Sequence, residues 1–186
     1  ILAALHQRAQ TGKGCHIDIA LFDVQLSWLA NVAQSYLVSG KPPKRYGNAH
    51  ASIVPYQTMR TADGWIMLAV GNDGQFAALC KAMSCAELAT DEDFATNPAR
   101  VKHRSRLIPL LEARFITVSN DHCLAALLAA GVPCGPVNDI PTALADAQAL
   151  ARGMVQPVEL EDGEVVPMLG AVAKVDGLQL TTRMPP

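Results

Sequence analysis

The sequence predicts an α/β protein that carries a small inserted α+β domain. The middle of the chain, about residues 50–130, alternates a strand hairpin with amphipathic helices. The flanking segments show isolated helix and strand patterns, which are too few to form a packed layer of helices or a sheet by themselves. We therefore expect part of a larger domain and a linker over 1–48, the small α+β domain over 49–131, and a return segment to the larger domain over 132–186.

Composition excludes several classes of protein. Half of the residues are apolar and 17% are charged, which is typical of a packed core and not of disorder. The net charge of −2 argues against a nucleic-acid partner, and no apolar run reaches the roughly 18 residues that a membrane span requires. The five cysteines are odd in number and lack framework spacing, so we expect reduced thiols in a cytoplasm.

The first elements follow from apolar spacing and from glycine. Apolar residues recur at helical spacing over residues 1–10, and Gly12 and Gly14 end that helix. The alternating stretch CHIDIAL, residues 15–21, predicts a half-buried strand. The stretch FDVQLSWLANVAQSYLVSG then predicts one long helix that ends at Gly40.

A loop and a hairpin come next. The segment KPPKRYGNAHA has the prolines, glycine and polar residues of a loop. The apolar runs SIVPYQTMR and WIMLAVG flank TADG, and Asp-Gly is a strong short-range signal for a hairpin. A helical pattern follows over residues 74–83, for which Asn72 or Asp73 is the predicted cap.

The second half is mostly helical. Asn97 and Pro98 suit the start of a helix that runs to about Phe115, and Pro109 should kink or split it. A further helix, NDHCLAALLAAG, follows. We expect its cap at Ser119 or Asn120 and its end at Gly131.

The remaining residues predict a rigid crossing segment, VPCGPVND, two short helices over 139–152, and a second Asp-Gly hairpin in VQPVELEDGEVVPML. The first helix has no cap and no initiator methionine, and the chain stops in a Pro-rich stretch. We therefore expect an internal piece of a longer protein.

The loop Gly47-Asn48-Ala49-His50 is the first candidate site. Glycine lets a ligand approach the backbone, and Asn and His supply donors and acceptors without fixed charge. The pattern alone favours the alternative, an ordinary connection in which His50 caps a strand end. The turn GNDGQF could hold an anion at a helix start, but a simple capped helix is the better interpretation because Asp73 would repel phosphate.

Other candidates are weaker. The segment TGKGC lacks P-loop spacing and predicts a turn. The basic run could meet phosphates, but nearby acidic residues favour a solvated, self-paired face. That run contains Arg100, Lys102, His103, Arg104 and Arg106. Cys80 and Cys85 have no histidine partners at metal spacing, and His122 and Cys123, adjacent in a helix, cannot form a dyad. The residues therefore predict no metal site and no catalytic constellation.

Several motifs in fixed order nevertheless resemble the family III CoA-transferases over essentially the whole chain. They are ILAALHQRAQTGKGCHIDIALFD, YGNAHASIVPYQTMRTADGWIMLAVGNDGQFAALC, DEDFATNPARVKHR and AAGVPCGPVNDIPTALADAQALARGMV. The resemblance implies the family III fold, with a Rossmann-like large domain and interlocked homodimers. It also implies transfer of coenzyme A from an acyl-CoA to a carboxylic acid through an aspartyl-CoA thioester, without a permanently bound cofactor.

The resemblance places the catalytic aspartate shortly before the position of Ile1, so this chain is expected to lack it and to be inactive alone. Asp18 and Asp23 do not match it. The Gly47–His50 loop matches the family's active-site loop, which closes over the intermediates. Its sequence is more similar to members that use mesaconate, citramalate or succinate.

The resemblance therefore implies a substrate-binding set: Gly47, Asn48, His50, Tyr56 and Gln57. Two other functions remain open at this point. One is an α-methylacyl-CoA racemase, which shares the fold but transfers a proton beside the thioester. The other is a non-catalytic interaction module, against which the uncapped helix start argues.

Overall fold

The computed structural model describes residues 1–179 of the 186-residue chain. The chain divides into two compact units, Ile1–Gly47 and Asn48–Pro186. Among residues 1–179, none of the helices combines the length and the apolar character that a membrane crossing requires.

The first unit consists of three helices. They are α1 (Leu2–Thr11), α2 (Leu21–Ser27) and α3 (Ala30–Ser39). Gly12 and Gly40, at φ 70° and 68°, end α1 and α3 in the left-handed conformation, as predicted. No residue between 1 and 47 is buried.

Two sequence predictions in this unit are wrong. Residues 15–21 do not form a strand, because a strand requires a hydrogen-bonding neighbour and residues 1–47 contain none. The long helix is interrupted at Trp28 and Leu29, and Ala30 has a φ of 41°, outside the right-handed helical region. No glycine or proline marks this interruption in the sequence.

The second unit is built on an antiparallel three-stranded sheet. Its strands, in spatial order, are β1 (Tyr56–Arg60), β2 (Trp65–Ala69) and β3 (Cys134–Pro136). The pairing of Arg60 with Trp65 confirms the predicted hairpin around TADG. The third strand was predicted as a crossing segment, and it forms because Leu68 of β2 pairs with Cys134, far along the chain.

Five helices belong to the same part of the second unit. They are α4 (Asp73–Ala82), α5 (Glu87–Thr90), α6 (Asn97–Lys102), α7 (Arg104–Phe115) and α8 (Asn120–Ala129). Helix α7 packs against β1, and α8 packs against β2 and β3. The shared core includes Met59, Ile66, Leu68, Phe76, Leu79, Leu107, Leu111, Phe115 and Leu127. Since all these side chains are at most 1% exposed, they fix the sheet and the helices as one packed body.

The predicted helix over 97–115 is indeed split, but not at the proline. The break lies at His103, while Pro109 is accommodated inside α7. A proline removes one hydrogen bond, here the bond to the carbonyl of Ser105, and Ser105 is exposed to solvent. The predicted cap is also shifted, because Thr96 and not Asn97 accepts the Ala99 N–H.

The last elements are small. They are the helices α9 (Ile140–Leu144) and α10 (Ala147–Ala151) and the strands β4 (Val155–Glu159), β5 (Val165–Leu169), β6 (Lys174–Val175) and β7 (Leu178–Gln179). The short helices and the second Asp-Gly hairpin were predicted, whereas β6 and β7 were not. Residues 132–179 belong to the second unit, and their return to a larger domain stays a prediction.

Candidate functional site

The predicted loop at Gly47–His50 is tied to the first strand of the sheet. Gly47 has a φ of 62°, a conformation that favours glycine. The Asn48 amide donates from Nδ2 to Thr58 Oγ1 at 2.7 Å and accepts from the Thr58 N–H at 3.3 Å. The side chain of Asn48 therefore fastens the loop beside β1, while one amide hydrogen remains for another partner.

His50 is held by its backbone, its ring face and one ring nitrogen. Its N–H donates to the Tyr56 carbonyl at 2.9 Å, and its ring stacks on the Tyr56 ring at 5.3 Å between centroids. Nδ1 accepts the Ser52 N–H at 3.2 Å. Because Nδ1 accepts, the proton of the neutral imidazole lies on Nε2, and that N–H can donate to an acceptor such as a carboxylate.

The two predicted strand residues lie on opposite faces of β1. Gln57 pairs with Leu68, whose side chain is fully buried, so Gln57 faces the core side of the sheet. Tyr56 and Thr58 face the other side, where they contact His50 and Asn48. The structure thus brings together Asn48, His50 and Tyr56 and separates Gln57 from them.

The basic run is only partly the solvated face that the sequence favours. Arg106 does pair with Asp91 and Asp93 at the surface, and His103 Nε2 lies 3.4 Å from Asp93. Arg100, in contrast, is fully buried. The prediction is wrong for Arg100 because its side chain lies in the core, where distant residues supply its hydrogen bonds.

The buried Arg100 joins three segments of the second unit. Its Nε donates to the Val54 carbonyl at 2.7 Å, and its Nη1 donates to the Phe94 carbonyl at 2.9 Å. Its Nη2 pairs with Asp73 at 2.8 Å, and the guanidinium lies 4.4 Å from the centre of the Phe76 ring. A buried charge requires such complete pairing. Arg100 is therefore a structural residue here and not a phosphate ligand.

Two neighbours of Arg100 bind the backbone of residues 50–54, and the sequence did not predict these contacts. Asn97 accepts the Val54 N–H at 3.1 Å and donates to the Ser52 carbonyl at 2.8 Å. Arg104 Nη2 donates to the carbonyls of His50 and Ala51 at 2.6 and 3.1 Å. Their spacing of three and four residues around Arg100 is a weak signal that they share a side of the helix.

The other predicted turns have structural roles. Asn72 accepts the Gln75 N–H and caps α4, as predicted for GNDGQF. Asp73 adds a bond to the Asn97 N–H at 2.8 Å. In TGKGC, Thr11 is the last residue of α1, and residues 12–15 lie in the irregular segment that joins α1 to α2.

Three of the cysteines, Cys80, Cys123 and Cys134, have thiols that are harder to ionise than a free cysteine. A hydrogen bond to Cys85 and burial both raise the pKa of the Cys80 thiol well above its usual range. Burial also raises the pKa of Cys123 and of Cys134, so these thiols are poor nucleophiles at neutral pH. Within residues 1–179, no group of three or more potential metal ligands comes together.

The family model described as CoA-transferase family III matches residues 1–186. The chain belongs to this family. A succinate–glutarate CoA-transferase from Agrobacterium fabrum is 46% identical over 90% of the chain and 42% of its own length. A human succinyl-CoA:glutarate CoA-transferase is 36% identical over 100% of the chain and 42% of its own length.

Two solved structures resemble this chain. A CAIB/BAIF family protein from Brucella suis is 47% identical, with a TM-score of 0.77 over 100% of the chain and 48% of that protein. The Rv3272 protein from M. tuberculosis has a TM-score of 0.82 over the same shares but is 19% identical, so it shows the fold alone. The family III chain described here spans less than half the length of the curated relatives reported above.

Proposed function

We propose that the complete protein transfers coenzyme A between an acyl-CoA and a small dicarboxylic acid. The observation that carries this proposal is the 46% identity to a protein named succinate–glutarate CoA-transferase. An acetyl-CoA:oxalate CoA-transferase from Acetobacter aceti, 35% identical over 95% of the chain, supports the same reaction class. Each of these relatives carries a transferase name, which favours acyl exchange over the racemase and over a non-catalytic module.

In this proposal the residues of the chain bind the acceptor and do not supply the nucleophile. An aspartate outside residues 1–186 attacks the acyl-CoA carbonyl, which forms a mixed anhydride and releases the CoA thiolate. The thiolate attacks the aspartyl carbonyl of the anhydride, which releases the donor carboxylate and leaves an aspartyl-CoA thioester. The acceptor carboxylate opens this thioester to a second anhydride, and the released thiolate attacks the acceptor's carbonyl, which forms the new acyl-CoA and regenerates the aspartate. The acyl-CoA is a substrate, and no permanently bound cofactor enters the reaction.

The loop beside β1 supplies the donors for the acceptor carboxylate. His50 Nε2–H is directed by the Ser52 contact at Nδ1, and the stacked Tyr56 ring limits its rotation. Asn48 offers its remaining amide hydrogen, and Gly47 allows close approach of the backbone. Gln57 stays in the predicted substrate set, although its place on the other face of β1 gives it the weakest support.

Substitution of His50 tests both the reaction and the site. In the complete protein, His50→Ala should raise the KM for glutarate or succinate about 10- to 100-fold, because one hydrogen bond to a charged group is lost. His50→Gln should recover part of that loss, since its amide can donate near the former Nε2. Gln57→Ala is the matched comparison and should change this KM less.

Steady-state assays with succinyl-CoA and a series of dicarboxylates give these constants. A wild-type enzyme that is inert toward every donor and acceptor would contradict the transferase proposal. An active enzyme whose acceptor KM is unchanged by His50→Ala would contradict the site alone. On the family resemblance we also propose an interlocked homodimer, and on the number and spacing of the cysteines a cytoplasmic location.

A further inference from the structure

One side of the α6–α7 segment binds the backbone of residues 50–54, a stretch that begins at His50, the last residue of the candidate loop. Asn97, Arg100 and Arg104 together make five hydrogen bonds to main-chain groups of residues 50–54. We call these three residues the loop anchor. They are separated from their loop partners by 43 to 54 positions, so the anchor exists only in the folded second unit.

The three anchor residues differ in what else they do. Arg100 also pairs with Asp73 and bonds the Phe94 carbonyl, so its loss would disturb the whole core. Arg104 acts on the loop through the carbonyls of His50 and Ala51, and it is only half-buried. Asn97 acts through Ser52 and Val54. Because Arg104 and Asn97 are only partly buried, their removal should disturb the core less than removal of Arg100.

One of the hydrogen bonds from Arg104 goes to His50, the proposed donor to the acceptor carboxylate. Arg104 fixes the His50 carbonyl, while the Tyr56 carbonyl fixes the His50 N–H. With its N–H and its carbonyl both hydrogen-bonded, His50 can keep its ring stacked on Tyr56. A displacement of about 1 Å at such a site is enough to cost about 100-fold in rate.

We propose that Arg104 and Asn97 are positioning residues that hold His50 in place for the acceptor carboxylate. This inference rests on the proposed function for its substrate, but the anchoring of the loop is independent of it. Neither residue touches the substrate. They act by keeping the backbone of residues 50–54 ordered.

Two measurements on the complete protein test separately the anchoring of residues 50–54 and its effect on acceptor binding. The first is hydrogen exchange of the amides of His50, Ser52 and Val54, which the structure shows as hydrogen-bonded. The second is the KM for glutarate, measured with succinyl-CoA, alongside the KM for succinyl-CoA itself. The variants are Arg104→Ala, Arg104→Lys and Asn97→Ala.

The matched control is Arg106→Ala. Arg106 lies two residues from Arg104 on the same helix, but it pairs with Asp91 and Asp93 and lies over the Phe94 ring, away from the loop. Its removal should leave exchange in residues 50–54 and both KM values unchanged. It therefore reports any general effect of removing an arginine from α7.

We expect Arg104→Ala to speed exchange in residues 50–54 about 10-fold or more and to raise the glutarate KM about 10-fold. The KM for succinyl-CoA should change less. Arg104→Lys should restore part of both effects, since one ammonium group can donate to two carbonyls. Asn97→Ala should also speed exchange and raise the glutarate KM. This variant provides the test if Arg104→Ala does not fold.

Each outcome decides a different point. Unchanged exchange in folded Arg104→Ala and Asn97→Ala would overturn the anchor, whatever the activity. Faster exchange with an unchanged glutarate KM would overturn the positioning role. Faster exchange in a protein whose wild type transfers CoA to no carboxylate would leave the anchor standing and refute the proposed function instead.

Discussion

Residues 1–47 and residues 48–132 both carry apolar side chains at helical spacing, but only the second region buries them. Trp28 and Leu37 in the first region are 76% and 73% exposed, whereas Leu79 and Leu127 in the second are fully buried. The helices of the second region pack on a sheet, and those of the first have no sheet within their unit. An apolar pattern thus predicts a helix, while burial depends on a partner layer.

Limited proteolysis should show the largest difference between the two regions. In the 186-residue chain, chymotrypsin should cut at Trp28 and Tyr36 at least about a hundredfold faster than at Phe94 and Phe115, because cleavage of a buried site requires the core to open. Mass spectrometry of a time course identifies the products. Cleavage at similar rates in both regions would mean that the core over 48–132 is not stable in this chain.

A matched pair of leucine substitutions gives a smaller effect. Leu127→Ala in α8 should lower the free energy of unfolding by about 3 kcal/mol, since it leaves a cavity in the core. Leu37→Ala in α3 should change it by less than about 0.5 kcal/mol, because that side chain is already exposed. Urea unfolding followed by circular dichroism measures both values, and equal losses would contradict the contrast in packing.

The smallest expected effect concerns a helix cap that comes from another element. Asp63, in the turn between β1 and β2, accepts the Asn120 N–H at the start of α8 at 2.7 Å. Asp63→Ala should therefore cost about 1 kcal/mol in the same unfolding experiment. Asp18→Ala, in the irregular segment of the first region, is the control and should cost nothing measurable. If the two variants lose equal stability, α8 does not depend on this cap.

Most of the local elements could be predicted because their signals lie within a few residues of one another. Gly40 ends α3, Asn72 caps α4, and the two Asp-Gly pairs predicted as turns, Asp63-Gly64 and Asp162-Gly163, join the strands of hairpins. The prediction of a strand at residues 15–21 was wrong because a strand, unlike a turn or a helix cap, depends on a partner elsewhere in the chain. Its alternating pattern is local, but its existence would require a neighbouring strand.

The candidate site was predicted only in part. Gly47, Asn48 and His50 stand out in the sequence, and Tyr56 is close enough along the chain to be included with them. Nothing local indicates that Gln57 lies on the core face, which the pairing with Leu68 decides. The assignment of these residues to substrate binding stays a proposal.

The amino-acid sequence by itself determined the family, the main helices and hairpins, and the loop at Gly47–His50, because motifs and turn residues act over short distances. Only the tertiary structure decided that Arg100 is buried, that Cys134 joins the sheet, and that Arg104 holds the loop. These facts depend on contacts between residues more than 40 positions apart. A buried charge or a short strand is favourable only when distant groups supply its hydrogen bonds. A local sequence pattern does not indicate which distant residues these are.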